Sequence, residues 1–295
     1  MRWRVYLQLV KLAAQGWVRN RAPSMGAALA FYSAFTLAPL LIIAIGITGA
    51  IFGEHAARGA IDVQLLGIFG PTAAAAIKSL LSATQSKAQG IIASVVGVVT
   101  LLIGVSTVLG EVQYDLDRIW SAPPRRGGFR TYFRAHALSF ALVLGIGFLL
   151  LASMLVTSAV AMFTKRWGSY FPGYYTALYS LNLVLSLLLV TSLIAILYKF
   201  LPRVPIAWRD VWIGALTTAV LFQIGQIAIG FYLTHSAVAS AYGAAGAMVV
   251  LLLWLYYSSQ IFLFGAEFTR AYASRSKAIG VDCMSNEEAS IAGQS

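Results

Sequence analysis

The sequence predicts an all-α, polytopic membrane protein with six transmembrane helices and both termini in the cytoplasm. Three observations carry that expectation. Hydrophobic residues fill 59% of the 295 positions and charged residues 11%, whereas soluble domains carry about 25% charged residues. Residues 211–266 contain no Asp, Glu, Lys or Arg; the run is too long for one crossing of about 20 residues and suits two with a tight connection. Finally, the cations collect in alternate connections. The N-terminal segment holds five Lys and Arg, the 111–134 loop five, the 199–210 loop three and the stretch from Glu267 onward three. The connections between them hold Arg58, Lys78, Lys87, Lys165 and Arg166. The positive-inside rule places the richer set, and both chain ends with it, in the cytoplasm. The net charge of +11 is then charge excluded from lipid, and membrane lipids rather than nucleic acid are the expected partners.

Residues 1–21 read as a cytoplasmic, basic, amphipathic helix. Trp3, Leu7, Val10 and Trp17 recur at helical spacing, while Arg2, Arg4, Lys11, Arg19 and Arg21 keep the rest polar. Such a helix lies among lipid headgroups, as a plain anchor or as a lipid-sensing element. The apolar run that follows exceeds the 7–15 residues of a signal-peptide core, and no small-x-small cleavage site follows it, so it is expected to stay as a membrane helix.

The membrane domain spans residues 22–272. Span one covers about 24–52. Gly26, Ala30, Ala34 and Ala38 form a thin stripe that lets helix backbones approach closely in lipid, within the chain or against a second copy in a homo-oligomer. Pro39 removes a backbone donor and is expected to bend the helix. An outer segment, 54–89, reads as two short amphipathic helices on the membrane or capping the helices. Span two covers about 91–109 and span three about 135–162. The Pro-Pro-Arg-Arg-Gly-Gly run at 123–128 marks a loop between them. A short loop rich in Trp and Tyr, 165–175, suits the outer interface and leads to span four, about 176–198. Pro202 and Pro205 punctuate the turn into spans five and six, 211–233 and 244–266, an antiparallel hairpin. The polar tail, 273–295, is expected to be disordered.

Little in the sequence points to catalysis. His55, His136 and His235 have no ligand partner at a metal spacing, and Cys283 is the only cysteine, so neither a metal nor another cofactor is expected. No P-loop, H-E-x-x-H or G-x-S-x-G occurs, and the expectation is of a protein that is not an enzyme. The polar residues deepest in the spans are uncharged. Gln223 and Gln226, three apart, share a face of span five; with Asn182, Gln260, Tyr32, Pro39 and Tyr242 they form a candidate substrate path, the alternative being interhelical hydrogen bonds. Every carboxylate lies outside a span or at its end, and five of them fall on the cytoplasmic rim. Glu111, Asp115, Asp117, Asp210 and Glu267, with Arg270, form a candidate cytoplasmic gate; the alternative is pairing with Arg118, Arg209 and Arg270.

Four stretches together resemble the YihY/BrkB family of bacterial membrane proteins. They are Ala27-Ala-Leu-Ala-Phe-Tyr-Ser-Ala-Phe-Thr-Leu-Ala-Pro39-Leu-Leu; Glu111-Val-Gln-Tyr-Asp-Leu-Asp-Arg-Ile-Trp120; Leu201-Pro through Trp208-Arg-Asp-Val-Trp-Ile-Gly214; and Tyr242-Gly-Ala-Ala-Gly with Trp254-Leu-Tyr256 and Gly265-Ala-Glu267. Asp117 stands where that family more often has Asn. The resemblance, over about residues 20–272, implies a six-span protein of the bacterial inner membrane with links to virulence, the cell envelope, and lipid or solute movement. It singles out Tyr32, Pro39, Trp120, Tyr242, Gly243, Trp254, Tyr256, Gly265 and Glu267. An older ribonuclease BN label also attaches to the family; the missing metal cluster disfavours it here. The leading expectation is a transporter-like protein handling a lipid or another amphiphile. The alternatives are an ion or small-solute transporter using the carboxylate rim and a non-transporting scaffold for envelope assembly.

Overall fold

A computed structural model describes residues 2–52, 66, 74–79, 91–123, 174–235 and 245–292. Every regular element among them is helical: α1 (Arg2–Arg19), α2 (Ala22–Phe52), α3 (Ile91–Ile119), α4 (Tyr174–Phe200), α5 (Trp208–His235) and α6 (Gly246–Ala292). A helical turn at 74–79 belongs to the outer segment. Span three, the rest of the outer segment and the tip of the last hairpin, with Tyr242 and Gly243, lie outside the described residues.

The α2, α4 and α5 helices match spans one, four and five to within three residues at either end. Helical backbone runs through Pro39 without a break. The α3 helix continues ten residues past the expected end of span two, so Glu111, Asp115 and Asp117 lie on a helix rather than in a loop. The α6 helix runs on to Ala292, where the polar composition after Tyr272 favoured disorder. That stretch has no proline, and Ala, Arg, Lys, Met and Glu among its residues are good helix formers.

Among the described residues, 99–119, 208–233 and 246–275 are long and apolar enough to cross a membrane, and 186–200 is a shorter apolar helix. Their outward faces agree. Trp212, Leu216, Val220, Ile224, Ile227 and Phe231 of α5 are all exposed, a contiguous apolar stripe that suits a membrane or a protein partner better than water.

The helix ends are closed by local chemistry. Ser121 takes a left-handed conformation (φ 51°) after α3. Ala122 N–H donates to Asp117 O (2.8 Å) and Ser121 N–H to Arg118 O (3.1 Å). This is a Schellman cap with serine in the place usually held by glycine. At the start of α5, Ala207 O accepts from the N–H of both Asp210 and Val211, and Asp210 places a carboxylate in the positively polarised first turn.

The chain forms two compact units. The first comprises residues 1–20, 116–220 and 264–295; the second comprises 21–115 and 221–263. In the second unit the stripe on α2 is covered by the chain's own α6. Ala30 and Ala34 pack with Leu251, Trp254 and Leu255, and Ala74 and Ile77 of the outer segment join the same core. Gly26 lies so close to α6 that a methyl group there would meet the Gln260 amide. Gly104 of α3 likewise leaves room for Thr36 of α2.

The first unit holds a reciprocal clasp between α5 and α6. Thr269 sits over Gly214, and Thr218 sits over Gly265. Each threonine is four residues beyond the glycine of its own helix, so one motif faces its own copy in the other helix. Both hydroxyls donate back along their helices, Thr218 to Gly214 O (2.8 Å) and Thr269 to Gly265 O (2.7 Å). With its one proton committed there, the Thr218 oxygen accepts from Tyr198 Oη at 3.2 Å.

Candidate functional site

Of the expected rim residues, Glu267 and Arg270 come together in the first unit. This carboxylate is 3% exposed. Gly16 of α1 and Asn20, just past its end, make its cradle. Gly16 has no side chain, and a methyl group there would collide with Glu267 Oε2. Asn20 donates from Nδ2 to Glu267 Oε1. Arg19 and Arg270 supply positive charge nearby. Leu9 and Ala13 continue the same face of α1 and are buried against Phe268, with Phe264, Ala271 and Tyr272 alongside.

This packing adds to α1 a buried face that its apolar periodicity did not mark. Leu7 and Val10, read as part of its apolar face, are exposed, as are Tyr6 and Val18. The face that meets the protein is Leu9, Ala13 and Gly16. At 100° per residue, Tyr6, Val10, Leu7 and Val18 occupy a separate arc of about 120°. Gln8, Lys11, Gln15 and Arg19 occupy the next arc. That polar flank and α6 enclose an open groove of about 770 Å³, whose α6 wall includes Glu267, Arg270, Ser274 and Arg275.

The other rim acids have separate situations. Asp117 pairs with Arg203: Arg203 Nε is 3.2 Å from Asp117 Oδ2, and the Arg203 backbone N–H donates to Oδ1 at 2.9 Å. Among the expected partners, Arg118 is adjacent in the helix, but the residue that holds Asp117 is Arg203. The double contact fastens the α4–α5 turn to the end of α3. In that turn, Lys199 Nζ donates to Ile206 O and lies 5.3 Å from the Trp208 ring centre. Arg270 Nη2 reaches Ser121 Oγ at 3.4 Å. Asp210 is buried at the start of α5. Glu111 and Asp115 belong to the second unit, and Asp115 is completely buried, at 0% exposure. The expected gate residues therefore divide between the two units.

The candidate path residues are less concentrated. Gln223, Gln226, Gln260 and Tyr32 are half-buried in the second unit. Gln260 Nε2 lies 3.4 Å from Ala22 O, and its Oε1 is buried and accepts no hydrogen bond among the described residues. Pro39 lies on α2 and Asn182 on α4; Tyr242 is outside the described residues. No cluster of three or more His, Cys, Asp or Glu suited to a metal occurs among the described residues.

Sequence reasoning did not identify the Gly16–Asn20 cradle or the cationic groove. The available signal was a glycine and an asparagine at i, i+4 within a basic helix, a spacing that puts a gap and a donor on one face.

A family model described as Virulence factor BrkB matches residues 13–289. The chain is 28% identical over 264 residues to a UPF0761 membrane protein of Pseudomonas paraeruginosa, covering 88% of this chain and 61% of that protein. It is 26% identical over 258 residues to a UPF0761 membrane protein of Tolumonas auensis, covering 85% and 80%. A third UPF0761 membrane protein, of Pseudoalteromonas atlantica, is 28% identical over 243 residues, covering 82% and 78%. The chain thus spans about 61% of the length of its Pseudomonas relative. No solved structure matches it.

Proposed function

The chain belongs to the virulence factor BrkB family of membrane proteins, and from that premise we propose that it handles a lipid or another amphiphile in the bacterial inner membrane. In this reading it has six spans, cytoplasmic termini and no enzymatic step. The first unit gathers the described basic segments that the charge count assigns to the cytoplasm.

The observation that carries the reading is the character of the polar groups in the charge-free stretch. Gln223, Gln226 and Gln260 are amides, half-buried in the second unit. Amides offer hydrogen bonds without fixed charge, which suits a polar head attached to an apolar body better than a bare ion. Their other use is to bind helix to helix, worth about 1 kcal/mol each; the buried, unengaged Oε1 of Gln260 favours a ligand-facing role for that residue. The test is translocation of labelled lipids by the full chain in liposomes. Protein-dependent movement that declines in Gln223→Leu and Gln260→Leu supports the reading; no movement across a broad lipid panel removes it.

One observation favours a second reading, in which movement is coupled to an ion. A carboxylate buried in a membrane helix is a functional candidate by default, and Asp115 is fully buried on α3. Sensitivity of transport to a proton or sodium gradient, abolished in Asp115→Asn, would support it. Gradient-independent movement would exclude it.

A further inference from the structure

We propose that the groove between α1 and residues 267–275 of α6 binds the headgroup of an anionic phospholipid, with the lipid phosphate held by Lys11, Arg19, Arg270 and Arg275. The proposal deepens the lipid-handling reading and rests on it for the membrane setting.

Charge comes first. Four cations line the groove against one carboxylate, and the titratable groups facing it from both walls are Lys11, Arg19, Glu267, Arg270 and Arg275. Glu267 does not present a free acid to a ligand: it is 3% exposed, with the Asn20 amide on one oxygen. It balances part of the guanidinium charge from beneath and orders the floor. Three of the four cations are arginines, whose planar fork matches phosphate oxygens in pairs. Gln8, Gln15 and Ser274 add neutral partners for the glycerol and ester oxygens. A volume of about 770 Å³ lies within the usual range for small-molecule sites.

Position then selects a lipid over a free anion. The flank of α1 next to Lys11 carries exposed Tyr6, Leu7, Val10 and Val18. An apolar arc beside a basic arc sets a helix in the interfacial plane, with its apolar side towards the acyl chains and its cations at headgroup level. The opposite wall agrees. A crossing takes about 20 residues, and α6 has 47; if it enters the membrane near Gly246, Glu267 to Arg275 come just after the apolar core. Basic pockets at that level on the cytoplasmic side suit anionic headgroups. A phospholipid in the leaflet can place its phosphate in the groove while its chains lie along the exposed flank of α1.

The experiment is native mass spectrometry of the full chain in detergent, titrated with phosphatidylglycerol, phosphatidylcholine or inorganic phosphate. Phosphatidylglycerol is expected to bind at least tenfold more tightly than phosphatidylcholine, with inorganic phosphate failing to compete. Lys11→Gln and Arg275→Gln should each weaken phosphatidylglycerol binding about 5-fold, as expected for one cation near a membrane surface. Arg270→Gln should weaken it further, and Arg270→Lys should restore part of the loss. Arg209→Gln, an exposed cation away from the groove, should change nothing. Equal binding of the two lipids, competition by inorganic phosphate, or equal losses in Arg209→Gln and the groove variants would each overturn the assignment. If Arg270→Gln fails to fold, the exposed Lys11→Gln variant still decides the question. Binding here is read without transport, so an inactive translocation assay and an empty groove are separate outcomes.

Discussion

Replacing Gly265 with alanine should open the α5–α6 clasp. A methyl group built on Gly265 would collide with Thr218 Oγ1, and it would stand 2.8 Å from Thr218 Cβ and 2.7 Å from Tyr198 Oη. Ordinary contact begins at 3.4 Å, so the shortfall at Thr218 Cβ alone is 3.4 − 2.8 = 0.6 Å. Rotating Thr218 does not remove it, because Cβ does not move with the rotamer. The helices must separate to clear Cβ, and clearing Oγ1 as well costs Thr218 a bond to Gly214 O or Tyr198 Oη. Overpacking costs about 1–3 kcal/mol, and loss of a buried hydrogen bond adds about 1 kcal/mol. A total of about 3 kcal/mol is expected. Alanine's better helix propensity returns less than about 1 kcal/mol. The assay is unfolding of the purified protein in mixed micelles titrated with SDS, as a double-mutant cycle with Thr218→Gly. Removing the threonine side chain should make Gly265→Ala milder by about 1–2 kcal/mol, a coupling expected only of residues in contact. If Gly265→Ala stays within about 0.5 kcal/mol of the natural protein, or the two changes simply add, the clasp is not the contact described.

Further expectations follow from the first unit and from the membrane topology. Asp117→Ala should cost about 1–2 kcal/mol in the same unfolding assay, since it removes an ion pair and a charge-assisted backbone contact. Asp117→Asn should cost less, because an amide oxygen still accepts from the Arg203 N–H, and raised salt should narrow the gap between that variant and the natural protein. Asn20→Leu should cost about 1–3 kcal/mol by leaving Glu267 buried without its donor, and Glu267→Gln in that background should recover part of it. Ser121→Gly should stabilise by about 1 kcal/mol through relief of its left-handed backbone, less the weak contact with Arg270. Cys283, the only cysteine, gives a direct topology test: a membrane-impermeant maleimide should label it in inverted inner-membrane vesicles and not in intact spheroplasts. The opposite pattern would reverse the assigned orientation.

The helices were legible because lipid imposes a coarse rule. A span needs a long apolar run, and runs of that kind set the bounds of α2, α4 and α5 closely. The rule says nothing about where a helix stops once it leaves the apolar layer. That is why α3 and α6 both outrun their expected ends: hydropathy falls at Glu111 and Glu267, while the hydrogen-bond pattern of the helix has no reason to. Pairing of small residues was half legible. The run Gly26, Ala30, Ala34 stood out because it repeats. The Gly–Thr pairs on α5 and α6 did not, because each is a single four-residue step whose meaning depends on its counterpart in a different helix. Gly265 was reached through family resemblance and Glu267 also through the carboxylate rim, and the structure supplies physical reasons for both. One lets Thr218 approach; the other fills the gap left by Gly16.

The buried face of α1 escaped the sequence for a reason that bears on function. Periodicity assigns a single apolar face to an amphipathic helix, on the assumption that one environment buries it. This helix meets three environments. Its narrow buried face consists of a leucine, an alanine and a glycine, the last two small enough to permit close approach to α6. Its strongly apolar arc, with Leu7 and Val10, stays exposed, and its cations line the groove. A helix that only anchored the chain would have no need of the close face. A helix that only packed against α6 would have no need of exposed leucine and valine beside lysine. The combination ties an exposed apolar surface to the buried Glu267 through one turn, Gly16 to Asn20. Whatever occupies the groove touches Arg270 and Arg19, the same cations that stand beside Glu267, so occupancy and the packing of α1 are physically linked. Asn20→Leu should therefore weaken phosphatidylglycerol binding as well as stability, although Asn20 does not line the groove; unchanged lipid affinity in that variant would show the cradle and the groove to be independent.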